Sequence, residues 1–283
     1  MAPGETAPAT RRGPFAGREL GLRVVSGIVL AVVVVAALVA GGWPFALVWL
    51  AAGIVGAAEW IGISRTAPER LLTGLVALAL VALVVCARTV SPLAGLAALG
   101  VGVLAVLIVA RGGRGRLRAL GGLLGGAVIA VVPSALRDAP GIGIAGPAWM
   151  FAVVWSTDVA AYFTGRTLGG PKLMPSVSPK KTWSGAIGGL LAAVAAGTAV
   201  VAYARGQGGD LAAVPLVAAA LVSGLASVLS QGGDLVESAF KRVYGVKDSG
   251  RSIPGHGGVM DRLDGFFAVA LLAGLTLALR AAT

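Results

Sequence analysis

From about residue 22 onward the sequence is divided almost entirely into apolar runs of about 20 residues, and no other feature limits the fold as strongly. Inside a bilayer every backbone N–H and C=O must be satisfied within the protein, and a helix rising about 1.5 Å per residue needs about 20 residues to cross about 30 Å of hydrocarbon. Runs of that length lie near 22–40, 43–63, 71–87, 90–110, 119–136, 143–165, 184–204, 211–231 and 263–279. The expectation is an all-α, polytopic integral membrane protein with about nine transmembrane helices. With 57% hydrophobic and 12% charged residues, the chain leaves no segment for a separate soluble domain. Residues 1–20, rich in Pro, Gly, Ala and Arg, read as a flexible tail, 21–140 as an N-terminal set of spans, and 141–283 as a C-terminal set carrying the longest polar loops.

The charges test this division. With nine alternating spans, nineteen Lys and Arg fall on one side and only Arg88, Arg137, Arg205 and Arg280 on the other. Removing one span would erase the asymmetry, and basic residues accumulate in cytoplasmic loops, so the N-terminus is expected in the cytoplasm and the protein in the cytoplasmic (inner) membrane. The net charge of +11 sits beside the spans rather than over a soluble face, which suits anionic lipid headgroups and argues against nucleic acid. The two longest polar loops, 166–183 and 232–262, share the cytoplasmic side. Small-residue patterns, "GGLLGG" at 121–126 and "GAIGG" at 185–189, predict closely packed helices.

Three polar groups interrupt the apolar pattern. Asp158 lies well inside the run "WSTDVAAYF", where an ionisable side chain costs several kcal/mol unless it is paired or meets water. Downstream, "SPKKTW" places Ser178, Lys180, Lys181 and Thr182 together, hydroxyls and cations suited either to a polyphosphate or to anchoring the next span. In 230–264, helical spacing puts Asp234 and Ser238 on one face, and Asp261 and Asp264 open the last span. Between them "PGHGG" offers bendable backbone with amides able to meet an anion, surrounded by Lys241, Arg242, Lys247, Arg251 and Arg262. Hard oxygen ligands of this kind suit Mg²⁺ with substrate phosphates. Zinc is excluded by supply, since His256 is the only histidine and Cys86 the only cysteine. Carboxylates, cations and free amides together indicate metal-assisted phosphoryl or nucleotidyl chemistry at a membrane surface.

The segment "SAFKRVYGVKDSGRSIPGHGGVMDRLD" at 238–264 closely resembles the C-terminal signature of the phosphatidate cytidylyltransferases, the CDP-diacylglycerol synthases, and "SPKKTW" and "GDLVES" are similar to other motifs of that family. The resemblance is strong from about Asp158 onward; the first half matches only as a set of hydrophobic spans. Ser184 is a departure, standing where many members carry glutamate. What the resemblance implies is transfer of the cytidylyl group of CTP to phosphatidate, giving CDP-diacylglycerol and pyrophosphate, with Mg²⁺ required and a homodimer compatible with the family. In that reading Asp234 and Asp261 are metal ligands with Ser238 assisting, and Lys241 and Arg262 act with them in catalysis. Ser178, Lys180, Lys181, Thr182, Arg242 and Lys247 hold substrate, while Asp248, His256 and Asp264 shape the substrate-binding loop. The alternatives are a CTP-dependent lipid kinase acting on a polyprenol-type alcohol, and a transporter or scramblase. The latter calls for polar residues at the midplane and on both faces, whereas here they gather on one.

Overall fold

The computed structural model describes residues 15–207 and 210–282. Among these are nine α-helices: α1 (Phe15–Ala40), α2 (Gly42–Ile63), α3 (Glu69–Thr89), α4 (Pro92–Val109), α5 (Gly112–Asp138), α6 (Ala145–Leu168), α7 (Trp183–Gly206), α8 (Leu216–Val243) and α9 (Met260–Ala282). Each expected run forms one helix, except that the run over 211–231 opens in a short 3-10 turn, Asp210–Ala213, before α8 begins at Leu216. The tail expected over 1–20 lies outside the described residues up to residue 14, and helix begins at Phe15. Between α6 and α7 a two-stranded antiparallel hairpin, β1 (Lys172–Met174) and β2 (Ser178–Thr182), adds the one element that the all-α reading did not contain among the described residues.

Seven of these helices are long and apolar enough to cross a membrane, so the protein is an integral membrane protein, but the count of nine is not reached on length and composition. The apolar part of α1 within the described residues is Val24–Ala40, shorter than the others. α6 falls short because its second half carries Ser156, Thr157, Asp158, Thr164, Arg166 and Thr167, of which Thr157, Asp158 and Arg166 line the cavity described below while the other three hydroxyls donate to carbonyls of α6 itself.

The connections show an up-and-down order. At one end the loop before α9 reaches the end of α2, with Val259 N–H donating to Glu59 at 3.0 Å, and the first half of α1, with Ser26 Oγ donating to Pro254 O at 3.0 Å. At the other end Arg137 Nε donates to Leu38 O at 3.0 Å, Arg88 pairs with Asp138 at 2.6 Å, and Arg280 donates to Pro140 O at 3.2 Å. Local signals fix several helix starts. Ser91 caps α4 by accepting from Ala94 N–H at 3.1 Å with Pro92 following it, and Thr182 caps α7 by accepting from Gly185 N–H at 3.2 Å.

Two apolar cores hold the bundle. One joins α2 to α5 through Leu50, Ile61, Leu72, Leu80, Val106 and Leu123; the other gathers Phe45, Trp49, Met150, Phe151, Phe266 and Val269 from α2, α6 and α9. Trp49 lies parallel to Phe266 with centroids 4.7 Å apart, joining the two halves of the chain. The outward surface is lined by residues such as Leu78, Leu104 and Ile108, in keeping with lipid contact. The expected glycine contacts are present. A Cβ on Gly126 of α5 would lie 2.9 Å from Gly53 O of α2, and one on Gly189 of α7 would lie 2.7 Å from Thr157 O of α6. Both are backbone approaches that only glycine permits.

Gly189→Ala is therefore expected to destabilise the protein by about 1–3 kcal/mol through overpacking. Gly100→Ala in α4, where a Cβ would meet nothing within 4 Å, is expected to be neutral or slightly stabilising. Thermal unfolding of the purified variants in detergent distinguishes the two.

Candidate active site

The hairpin exists because "LGGPKLMPSVSPKKT" cannot continue a helix: Gly169 and Gly170 take positive φ values of 63° and 98°, and three prolines follow. It folds back over the end of α6, where Lys172 pairs with Thr182 in the antiparallel register. Ser184, at the position where the family resemblance leads one to expect glutamate, donates to Gly169 O and ties the start of α7 to the end of α6. The bland outcome, a hairpin that only anchors α7, is exceeded by what it encloses.

Between α6, the hairpin, α7 and α8 lies a cavity of about 620 Å³. Asp158, Arg166, Lys172, Lys180, Lys181 and Asp234 all line it, with Tyr162, Thr182 and Gln231 beside them. Four cations and two carboxylates thus face one space at the polar end of the bundle. Lys181 Nζ forms an ion pair with Asp234 Oδ2, while Ser238 Oγ donates to Asp234 Oδ1 at 3.3 Å. The α8 wall is fixed to its neighbours by Thr157 Oγ1 and Ser227 Oγ, 2.9 Å apart, and by Gln231 Nε2 donating to Ala186 O at 3.3 Å. Asp264, from the start of α9, lies within electrostatic reach of both Asp158 and Asp234.

Next to the cavity, the end of α8 and the start of α9 are locked together by a second ion-paired group. Lys241 Nζ lies 2.6 Å from Asp261 Oδ1 and 3.0 Å from Glu237 Oε1, and all three side chains are nearly buried. Asp261 Oδ2 also accepts from the backbone N–H groups of Ser249 at 2.8 Å and Gly258 at 2.9 Å. Both carboxylate oxygens are therefore engaged. Arg262 donates to His256 O at 3.0 Å, and Arg242 to Val246 O at 3.3 Å, so these two cations brace the loop 244–259. His256 turns towards α1, its Nδ1 lying 2.8 Å from Ser26 Oγ. Lys247 and Asp248 are exposed on the loop.

With this geometry in view, the comparisons with known proteins decide the family. A model of the cytidylyltransferase family matches residues 21–279. The chain is 42% identical over 257 residues to a phosphatidate cytidylyltransferase of Brucella suis, covering 90% of this chain and 92% of that protein. It is 41% identical over the same length to the enzyme of that name from Brucella abortus. A phosphatidate cytidylyltransferase of Bacillus subtilis matches 117 residues at 46% identity, 41% of each chain. The chain belongs to the cytidylyltransferase family. It is thus a nucleotidyltransferase.

For a cytidylyltransferase the structure sorts the residues read from the sequence into two adjoining groups. Lys180, Lys181, Thr182 and Asp234 meet in the cavity, with Ser238 behind Asp234. Asp261, Lys241, Arg262, Arg242 and His256 form the braced loop, and neither these nor Ser178, Lys247, Asp248 and Asp264 line the cavity wall. Among the described residues, no three of His, Cys, Asp and Glu are grouped as a metal cage. In the sequence Asp158 is expected near the polar loops, facing the same cavity with its role open, and nothing singles out Arg166, Lys172 and Gln231 as site residues; the fold brings all four to the cavity. Sequence reasoning also missed Glu59 in α2, a buried carboxylate that meets the loop before α9. The signal was present, since Glu59 interrupts the run "GAAEWIGI" as Asp158 interrupts its own.

Lys241→Met is expected to leave the nearly buried Asp261 and Glu237 without their shared counter-charge and to cost about 3–5 kcal/mol. Lys241→Arg, which keeps the charge, is expected to lose much less. Unfolding midpoints of the two variants measured side by side check the difference.

Proposed function

We propose that the protein transfers the cytidylyl group of CTP to phosphatidate, giving CDP-diacylglycerol and pyrophosphate, in membrane phospholipid biosynthesis. The observation that carries this reading is the single cavity in which Arg166, Lys172, Lys180 and Lys181 face Asp158 and Asp234 at the end of a membrane bundle. The two Brucella relatives bearing that enzyme's name match 90% of this chain and support the same substrates.

In this reaction a phosphate oxygen of phosphatidate attacks the α-phosphorus of CTP, and the bond from that phosphorus to the bridging oxygen of the β-phosphate breaks. Pyrophosphate leaves with the electron pair, and no covalent protein intermediate is needed. The cavity cations hold the phosphates in line and offset the charge that grows on the leaving group, an effect that is strong where water is scarce. Lys181, already drawn to Asp234, and Lys180 on the same strand are the first residues we assign to this task.

The donor set fits Mg²⁺, which takes one or two protein carboxylates and completes its shell with water and substrate phosphates rather than needing an all-protein cage. Asp234 is the ligand we assign first, its Oδ2 exchanging Lys181 for the metal while Ser238 steadies Oδ1, with Asp158 available across the same cavity. Asp261 takes part as a ligand only by exchanging one of its present partners. Bound there, Mg²⁺ supplies positive charge to the phosphate oxygens of the nucleotide.

The nineteen-to-four distribution of Lys and Arg supports a cytoplasmic active site and N-terminus in the inner membrane. The alternation of helix ends supports α1 and α6 as the remaining two of nine spans.

Purified enzyme given [α-³²P]CTP, phosphatidate and Mg²⁺ is expected to place label in lipid. Label entering lipid only from the γ-position would instead identify a CTP-dependent lipid kinase. CTP consumption in the absence of phosphatidate would also count against the reading. Asp234→Asn is expected to reduce turnover by about 100-fold or more while the protein stays folded; near-normal turnover would remove Asp234 from the metal site.

A further inference from the structure

Glu59 lies in α2, in the half of the chain that looks like plain hydrophobic spans, yet it is only 9% exposed. Among the described residues no Lys or Arg forms an ion pair with it. Its negative charge is met by four neutral donors instead, three from the loop before α9 and one from the first residue of α9. Ser252 Oγ donates to Oε1 at 2.6 Å and Val259 N–H at 3.0 Å; Ser249 Oγ donates to Oε2 at 2.9 Å and Met260 N–H at 2.9 Å. Val259 and Met260 stand at the start of α9, so a carboxylate from another helix does the work of an N-cap and meets the positive end of the helix dipole.

Ser249 links this carboxylate to Asp261. Its hydroxyl donates to Glu59 and accepts from Asp261 N–H at 3.3 Å, while its own N–H donates to Asp261 Oδ2 at 2.8 Å. Two loop glycines admit the carboxylate. A Cβ on Gly250 would come within 2.8 Å of Glu59 Oε1, and one on Gly258 would collide with Ser249 Oγ and the Glu59 carboxylate. The second glycine after His256 is thus needed for the approach of Glu59.

We propose that Glu59 is a positioning residue for nucleotidyl transfer: through Ser249 and the first N–H groups of α9 it sets the place of Asp261 and of the loop 249–260, so that α2 is part of the active-site architecture. The inference rests on the function proposed above. Glu59 does not line the cavity and is assigned no contact with substrate.

Glu59→Gln keeps the size but replaces one acceptor oxygen by an NH₂ that faces donors. Hydrogen exchange and steady-state kinetics with [α-³²P]CTP test its role. The expected result is faster exchange in peptides covering 249–262 with unchanged protection in α3 and α4, together with a fall in kcat/KM on the order of 100-fold and a raised KM for CTP. Ser252→Ala removes one donor without touching Asp261 or stranding a charge, and is expected to shift the same quantities in the same direction by a smaller factor. It carries the test if Glu59→Gln does not fold. A lower kcat in proportion to lost folded protein, with KM unchanged and exchange faster everywhere, would reduce Glu59 to a stability residue and overturn the proposal. So would unchanged kinetics in both variants, or in Ser252→Ala if Glu59→Gln does not fold. Failure of the wild-type enzyme to label lipid would instead sink the proposed function.

Discussion

A carboxylate placed where a helix leaves the hydrocarbon must be met by a donor, and one end of this bundle is organised around meeting four of them. Asp234 is met by Lys181 and Ser238, Glu237 by Lys241, Asp261 by Lys241 and two backbone amides, and Glu59 by two hydroxyls and two backbone amides. An unmet charge in such a place is costly, so each contact restricts where its element can sit. Lys181 holds the hairpin against α8, Lys241 holds α8 against α9, and Glu59 holds α9 against α2. Four separate stretches of chain are joined by side chains that the bilayer would otherwise reject.

The apolar part of the structure makes these meetings possible without directing them. Gly53 and Gly126 let α2 and α5 touch backbone to backbone, and Gly185 and Gly189 do the same for α7 against α6. Because lipid tails are as apolar as leucine, such helices associate by close packing rather than by expulsion of water. The stacked rings of Trp60 and Phe240, 4.0 Å apart, bring the same closeness to the polar end, where Trp60 Nε1 also donates to Arg118 O at 2.8 Å.

Much of this was legible along the chain because it is periodic or compositional. Helix positions followed from runs of about 20 apolar residues, the shared face of the two polar loops from the distribution of Lys and Arg, and the glycine contacts from small-residue spacing. Less legible was the count of spans that stand on hydropathy alone, because α6 trades apolar residues for groups that face the cavity. Within the site, two cations expected to hold phosphates are paired with the two carboxylates expected to hold metal, Lys181 with Asp234 and Lys241 with Asp261. The conspicuous His256 turned to α1, and Arg262 turned to a loop carbonyl. Residues 53 and 20 positions apart gave no indication of which cation would meet which carboxylate.

By itself the sequence determined an apolar helical chain crossing a membrane, with its polar chemistry at one end, because hydropathy and backbone hydrogen bonding act locally and leave a pattern in the residues themselves. Only the tertiary structure decided that Asp158, Arg166 and Lys172 share a cavity with Lys181 and Asp234, and that Glu59 grips a loop some 200 positions away. Those pairings depend on helix crossing and on the fold of a glycine-rich loop, and a buried charge selects its partner by distance in space.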